Sequence, residues 1–487
     1  MIFIFNLFNK YLKILIEYIT SYLIFFKYND VTDDNITDDN IIDDITNDNI
    51  IDNIIDDITD DNIIKDIIDN IINDVINDNI TNDNVISLLK DQLYNKELNN
   101  KNIDNVKNKS KYKIGLLTNE IPPIIYGGVA TWIVNFIKMF SKSDLFEVVP
   151  IFLESYLNDT LPNNIHKKYD NIRIIKFNDN INEYFKDIDI CVNNLWICTD
   201  IIKHIKYEFP NLTLVTVCHS LIIMENLTNL GSIYTNNYNQ QEETFKISDI
   251  IILISKSEEK YYKKYNYDKL NPNTYVIYNS YTPKYDNHIL DINYDSNIIG
   301  YIGRHVPRKR PELLIKAVSE LKLKNIKVHN FGIDTDKYHN DYWYYLKDKY
   351  KNILKITNFT SDKNLIENYW ETIGCNCITG IYEPFGFTIC EALDRRMALV
   401  VSNIDGPSEI IDSVKEYVTL YEVDYDYEID KKNFNNALLK FLKLTSEEKK
   451  NNAFKARKCL NRFRPERIII DWNILFYKIL TKNINLK

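Results

Sequence analysis

The chain has 487 residues, 45% of them hydrophobic, which is enough for two or three domains with sizeable cores. Seven cysteines exclude a disulfide scaffold, and 11 glycines with 12 prolines exclude collagen-like or Gly/Ser-linker composition; no run of 18 uncharged apolar residues occurs, which excludes a polytopic membrane protein. The net charge of -10 is unevenly spread: eighteen aspartates and one lysine between Asp30 and Asn84 carry -17, leaving the rest at +7, a balance suited to an anionic small molecule or an anionic membrane surface.

Residues 1–28 are apolar but interrupted by Asn6, Lys10, Lys13 and Glu17, at spacings of four, three and four that place them on one helical face. A spanning helix is disfavoured by the three charges, and a signal peptide by the lack of a basic start and of a small-residue cleavage site. Two readings stay open, an in-plane membrane helix and a helix packed on the protein's own surface. Residues 29–85 are low complexity, with units such as "ITDDN", "IIDD" and "IIND" recurring every four or five residues. Their mutual repulsion and poor helix formers make 29–110 a tether, and their D-x-D strings are products of the repeat.

From Lys111 the texture alternates. Strands are predicted at 113–118, 146–152, 172–177, 189–193, 212–217, 250–254 and 274–278, with a helix over 129–140 and others between. After Asp295 the pattern restarts: strands at 297–303 and 326–332, helices from 311 and near 337–350, shorter units to about 421, and a helical tail over 431–480. Strands alternating with helices mean parallel sheets, so the chain is α/β with two Rossmann-like doubly wound domains, 111–290 and 291–487, facing a cleft. Ligands of such sheets sit at the carboxyl ends of the strands.

Four segments carry chemistry. In "EIPPIIYGGVATW" (120–132), Gly127 and Gly128 open a helix, where backbone N–H groups suit an anion; a simple turn is the alternative. In "LTLVTVCHS" (212–220) a strand presents His219 at its carboxyl end. In "IGYIGRHVPRKRPELLIKAV" (299–318), Arg304, Arg308, Lys309 and Arg310 follow a strand, and such cations clamp phosphate or merely face solvent. In "YEPFGFTICEALDRRMALVVSNIDGPSEII" (382–411), Glu383 lies in a loop and Glu391 in an otherwise apolar helix whose start, Phe385, Gly386 and Phe387, offers free N–H groups. A carboxylate in an apolar helix needs partners: sugar or ribose hydroxyls on one reading, Arg395 or Arg396 on the other.

Together these segments resemble the retaining glycosyltransferases of family 4, which have the GT-B fold. The resemblance covers roughly 111–480 and rests on the E-x7-E pair Glu383 and Glu391 and on Arg304 with Lys309. "YGGVA", "TVCHS", "LISKS" (253–257) and "VIYNS" (276–280) fall in the family's order. It implies that Arg304 and Lys309 hold the donor diphosphate, Glu391 the ribose, and Glu383 the sugar near its anomeric carbon. Phe385, Gly386 and Phe387 would offer N–H groups to phosphates and sugar, Gly128 would face the diphosphate from the other domain, and His219 would stand beside the reacting sugar. Departures are Arg310, Arg396 and Ala398 in place of Gly, Gly and Pro, and Asn279-Ser280 in place of Asn-Gly. Glycogen and starch synthases carry a Lys before their Gly pair; here that neighbour is Tyr126.

The expectation is a retaining transferase that moves a sugar from a nucleotide diphosphate sugar to a glycan, lipid or protein acceptor. No cofactor, metal or nucleic acid is expected, and the location is cytoplasmic, with a peripheral membrane contact through 1–28 on the first of the two readings of that segment. Asp334 with Asp336, Asp424 with Asp426, and Cys375 with Cys377 are weak metal candidates. The alternatives are an inactive binding or structural protein on the same fold, and a nucleotide-sugar epimerase, which would act without an acceptor.

Overall fold

The computed structural model describes residues 111–481 apart from 126, 155–160, 177–178, 195–198, 229–234, 287, 334–336, 359 and 361. The readings made for 1–28, 29–110, Tyr126, and Asp334 with Asp336 lie outside the described residues. Among the described residues no helix is long and apolar enough to cross a membrane.

The first sheet is built in the order β1 (Tyr112–Thr118), α1 (Gly128–Phe140), β2 (Phe146–Leu153), β3 (Arg173–Ile175), α2 (Asn182–Phe185), β4 (Ile190–Asn193), α3 (Thr199–Glu208), β5 (Thr213–Cys218), α4 (Ile222–Thr228), α5 (Thr235–Ile247), β6 (Ile250–Leu253), α6 (Lys256–Lys264) and β7 (Thr274–Val276). The chain crosses over and builds the second: β8 (Ile298–Ile302), α7 (Glu312–Glu320), β9 (Lys327–Ile333), α8 (Lys337–Lys349), β10 (Leu354–Asn358), α9 (Lys363–Thr372), β11 (Cys375–Ile378), α10 (Phe387–Asp394), β12 (Leu399–Ser402), α11 (Asp405–Ile410) and β13 (Thr419–Tyr421). Helices α12 (Tyr427–Leu442), α13 (Ser446–Ala456) and α14 (Pro465–Leu480) close the chain.

Both sheets are wholly parallel, in the orders β3-β2-β1-β4-β5-β6-β7 and β10-β9-β8-β11-β12-β13. Inner strands such as "ICVN", "IIIL" and "LVVS" are short apolar runs buried throughout because helices cover both faces, whereas the edge strands β7 and β10 are only partly buried. Each order reverses once, between β1 and β4 and between β8 and β11, which opens a crevice at the carboxyl ends of those strands.

The helical tail, read from sequence with the second domain, sends its last helix back to the first. Trp472 of α14 meets Phe136 of α1 edge-on at 5.0 Å, and Phe476 meets Phe140 and Phe146 at 5.7 and 5.4 Å. Trp472 and Phe476 are fully buried, worth roughly 1.5–3 kcal/mol each. The two chain crossings are tied to each other, since Asp286 accepts from both Arg457 and Arg464 and the Tyr281 N–H donates to the Phe463 carbonyl.

Candidate active site

The loop after β8 sorts its four cations. Arg304 is exposed and makes no ion pair among the described residues. Lys309, in a short 3-10 turn over Pro307–Lys309, lies 2.8 Å from Glu383. Arg308 is buried: it donates to the Tyr382 carbonyl at 2.9 Å and approaches Glu225 of the first domain at 3.6 Å. Arg310 points away from the cleft, to Asp430 at 2.6 Å and to the carbonyls of Asp424 and Tyr425. It holds φ +41°, and Arg396 holds φ +58°. Both arginines thus hold a left-handed backbone that favours glycine, and their side chains find partners in compensation.

The loop after β11 carries Glu383, Phe385 and Gly386 into α10. Gly386, at φ +112°, lets the chain turn into the helix, whose first N–H groups have no carbonyl of their own helix to bond. The loop is pinned by the start of α11. Glu383 N–H donates to Asp405, its carbonyl accepts from Gly406, and a Cβ on Gly406 would stand 2.4 Å from the Phe385 backbone. Burial works to raise the Glu383 pKa, but Lys309, Arg308 and Arg304 outweigh it and hold the carboxylate ionised below its ordinary range. The same burial lowers the Lys309 pKa against the pull of Glu383.

Glu391, half-buried one turn into α10, has its pKa raised by burial, which Arg395 and Lys284 only partly offset. The structural partners considered for it are committed elsewhere: Arg395 pairs with Glu367 at 2.6 Å, and Arg396 donates to the Tyr285 carbonyl. Asp424 and Asp426 serve a helix cap, Asp426 accepting from Glu428 and Ile429 N–H groups at the start of α12.

The first domain supplies the facing wall. Gly127 N–H donates to Glu120, whose carboxyl burial lifts to about 6 despite that bond. Gly128 opens α1, and a Cβ there would lie 3.3 Å from the Phe387 ring, so the two domains meet at this glycine. His219 follows β5. Its Nε2 is 2.7 Å from Asn194 Oδ1, its ring stands edge-on to Trp132, and burial pushes its pKa down to about 3, so the imidazole is neutral. The structure therefore brings Lys309 to Glu383 and Gly128 to Phe387, and sets Arg304 close enough to both Glu383 and Glu120 to work against the rise that burial gives their pKa values.

Residues 286–458 match the family model described as glycosyl transferases group 1. The chain carries a glycosyl transferases group 1 domain. This domain holds Arg304, Lys309, Glu383 and Glu391, with both loops of the second switch point. Among curated proteins, the poly(ribitol-phosphate) alpha-N-acetylglucosaminyltransferase of Staphylococcus aureus (strain COL) is 28% identical over 194 residues, which is 37% of this chain; the match spans 35%, about a third, of that relative's length. Among solved structures, sucrose-phosphate synthase from Thermosynechococcus elongatus has a TM-score of 0.60 at 15% identity, covering 76% of this chain and all of that one. Anabaena HepE in complex with UDP and glucose has a TM-score of 0.57 at 14% identity, covering 75% of this chain and all of that one. These likenesses show the GT-B fold expected from the sequence.

Several residues around the group 1 domain's site had not been singled out. Glu409 accepts from the N–H groups of Lys256 and Ser257 at the start of α6 and from the Tyr278 hydroxyl, so a second-domain carboxylate caps a first-domain helix. Asp405 accepts from Tyr261 at 2.8 Å, and burial raises its pKa to about 6. Glu225, Glu258 and Tyr382 complete the contact between the domains. "IDGPSEII" and "LISKS" are both family segments, but nothing in either string says that they touch.

Proposed function

We propose that the protein is a retaining glycosyltransferase that moves a sugar from a nucleotide diphosphate sugar to an acceptor. One observation carries the reading. Lys309 and Glu383 lie 2.8 Å apart at the second switch point, beside the unpaired Arg304, with the glycine-opened helix α1 and the neutral His219 on the facing domain. Arg304 and Lys309 hold the donor diphosphate and stabilise it as it departs. The free N–H groups at the start of α10 and the start of α1 at Gly128 take further phosphate oxygens. Glu391 receives the ribose hydroxyls, which replace the water it would otherwise lose. Glu383, kept ionised by its cations, stands where positive charge grows on the anomeric carbon, and neutral His219 can exchange hydrogen bonds with the sugar without adding charge.

Catalysis in this reading is positioning plus electrostatics, and the positive charge that a metal could supply comes from Arg304 and Lys309. UDP-sugars are the first donors to test, because a similar fold is seen with UDP and glucose. A polyol-phosphate glycan is the first acceptor, because the Staphylococcus relative is named for one. The chain would work in the cytoplasm, with 1–28 resting on a membrane surface.

A thermal-shift panel of UDP-, GDP- and ADP-sugars tests the donor site. A donor at 100 times its Kd should add about 2.7 kcal/mol of stability. No shift with any member of the panel at millimolar concentration would remove the reading.

A further inference from the structure

Tyr382 immediately precedes Glu383 and is fully buried, yet its ring lies in the other domain's core. The apolar cluster around it consists of Cys218, Leu221, Met224, Phe245, Ile251, Leu253, Tyr262 and Tyr267, all of the first domain; Tyr382 is its one second-domain member among the described residues. Its hydroxyl accepts from Leu221 N–H at 2.9 Å and donates to Glu258 at 3.0 Å. Leu221 closes the turn that begins at His219. At the other end of the residue, the Tyr382 carbonyl accepts from Arg308, and Arg308 reaches across to Glu225. Glu383 is therefore held between two ties to the first domain, one through a hydroxyl and one through a guanidinium.

We propose that Tyr382 is a positioning residue for the transfer: its hydroxyl fastens the Glu383 loop to the 219–221 turn and so fixes the separation of Glu383 and His219 across the cleft. This rests on the function proposed above. Leu221 N–H also bonds Glu258 directly at 3.1 Å, so removing the hydroxyl leaves that donor satisfied and the core ring in place. Burial raises the Glu258 pKa well above its ordinary value. One carboxyl oxygen accepts from both Leu221 N–H and the Tyr382 hydroxyl, and the amide oxygen of a glutamine reproduces it.

The test compares the full chain with Tyr382→Phe and Glu258→Gln, reading donor turnover and hydrogen exchange of the 219–225 and 381–388 segments. Tyr382→Phe should lower kcat on the order of 10–10²-fold, the scale of an ångström's misplacement, with donor KM within about two-fold. Exchange should quicken in both segments. Glu258→Gln should stay within about two-fold of wild type. Wild-type kcat in Tyr382→Phe, equal losses in both variants, or unchanged exchange would overturn the proposal. If the wild type turns over no donor, the functional reading falls by itself, and exchange alone decides: faster exchange in both segments supports the tie, and unchanged exchange refutes it.

Discussion

Replacing Arg310 by glycine restores the residue the family usually has beside Lys309, yet it should destabilise this protein. The backbone there holds φ +41°, so glycine removes roughly 1–2 kcal/mol of left-handed strain. Against that, the change deletes a guanidinium 2.6 Å from Asp430, whose side chain is 0% exposed, and leaves the Asp424 and Tyr425 carbonyls without their donor. Leaving one member of a buried pair alone costs about 3–5 kcal/mol. The net is about 1–4 kcal/mol of lost stability. Asp430 also accepts the Asp424 N–H, which an asparagine can still do, so Asp430→Asn in the Arg310→Gly background should recover part of the loss. Thermal unfolding of wild type, both single variants and the double variant gives the coupling directly. A glycine variant as stable as wild type, or a cycle with no coupling, would refute the reasoning that the ion pair compensates for the strained backbone.

Arg304→Ala and Lys309→Ala should each cost on the order of 10²–10³-fold in transfer rate, the scale for losing one donor to developing charge, measured as nucleotide diphosphate release; wild-type rates in both would take this loop out of the mechanism. Glu391→Gln should raise donor KM with kcat little changed, because ribose contacts are alike in ground and transition states, whereas Glu383→Gln should lower kcat mainly; the reverse pattern in steady-state kinetics would exchange the two roles. His219, held near pKa 3 by burial against 6.5 when unfolded, refuses a proton that the unfolded chain accepts, so stability is lost as pH falls from 6.5 toward 3. His219→Gln should flatten that slope in urea titrations between pH 7 and 5, and an unchanged slope would place the titration elsewhere.

The strands of the first sheet were legible because most are short apolar runs between polar breaks, whereas β10, "LKITN", is not one. The reading at 113–118 meets β1 at Tyr112–Thr118, and that at 212–217 meets β5 at Thr213–Cys218. The apolar stretch from Gly386 to Leu393 likewise read as a helix that holds Glu391 and leaves Glu383 in the loop before it, as the structure has them. What the sequence left open was the fate of like charges in one string. "GRHVPRKR" offers four cations with nothing to separate them. The structure leaves Arg304 free, gives Lys309 to Glu383, and spends Arg308 and Arg310 on buried partners more than 70 residues away in sequence. In "KSEEKYY" the fully buried Glu258 and the solvent-side Glu259 are neighbours. A 3.6-residue period does put Glu258 on the Tyr262 side, but it cannot say that a tyrosine from another domain waits there.

The most direct measurement is the anomeric configuration of the product by proton NMR, after incubating the full chain with a donor that shifts its melting temperature and with a polyol-phosphate glycan acceptor. Release of nucleotide diphosphate together with a new glycosidic bond of the donor's own configuration is the expected result. An inverted bond would contradict the retaining assignment. An isomerised nucleotide sugar formed without acceptor would give the site to an epimerase, and donor binding with no product at all would leave a binding protein in place of an enzyme.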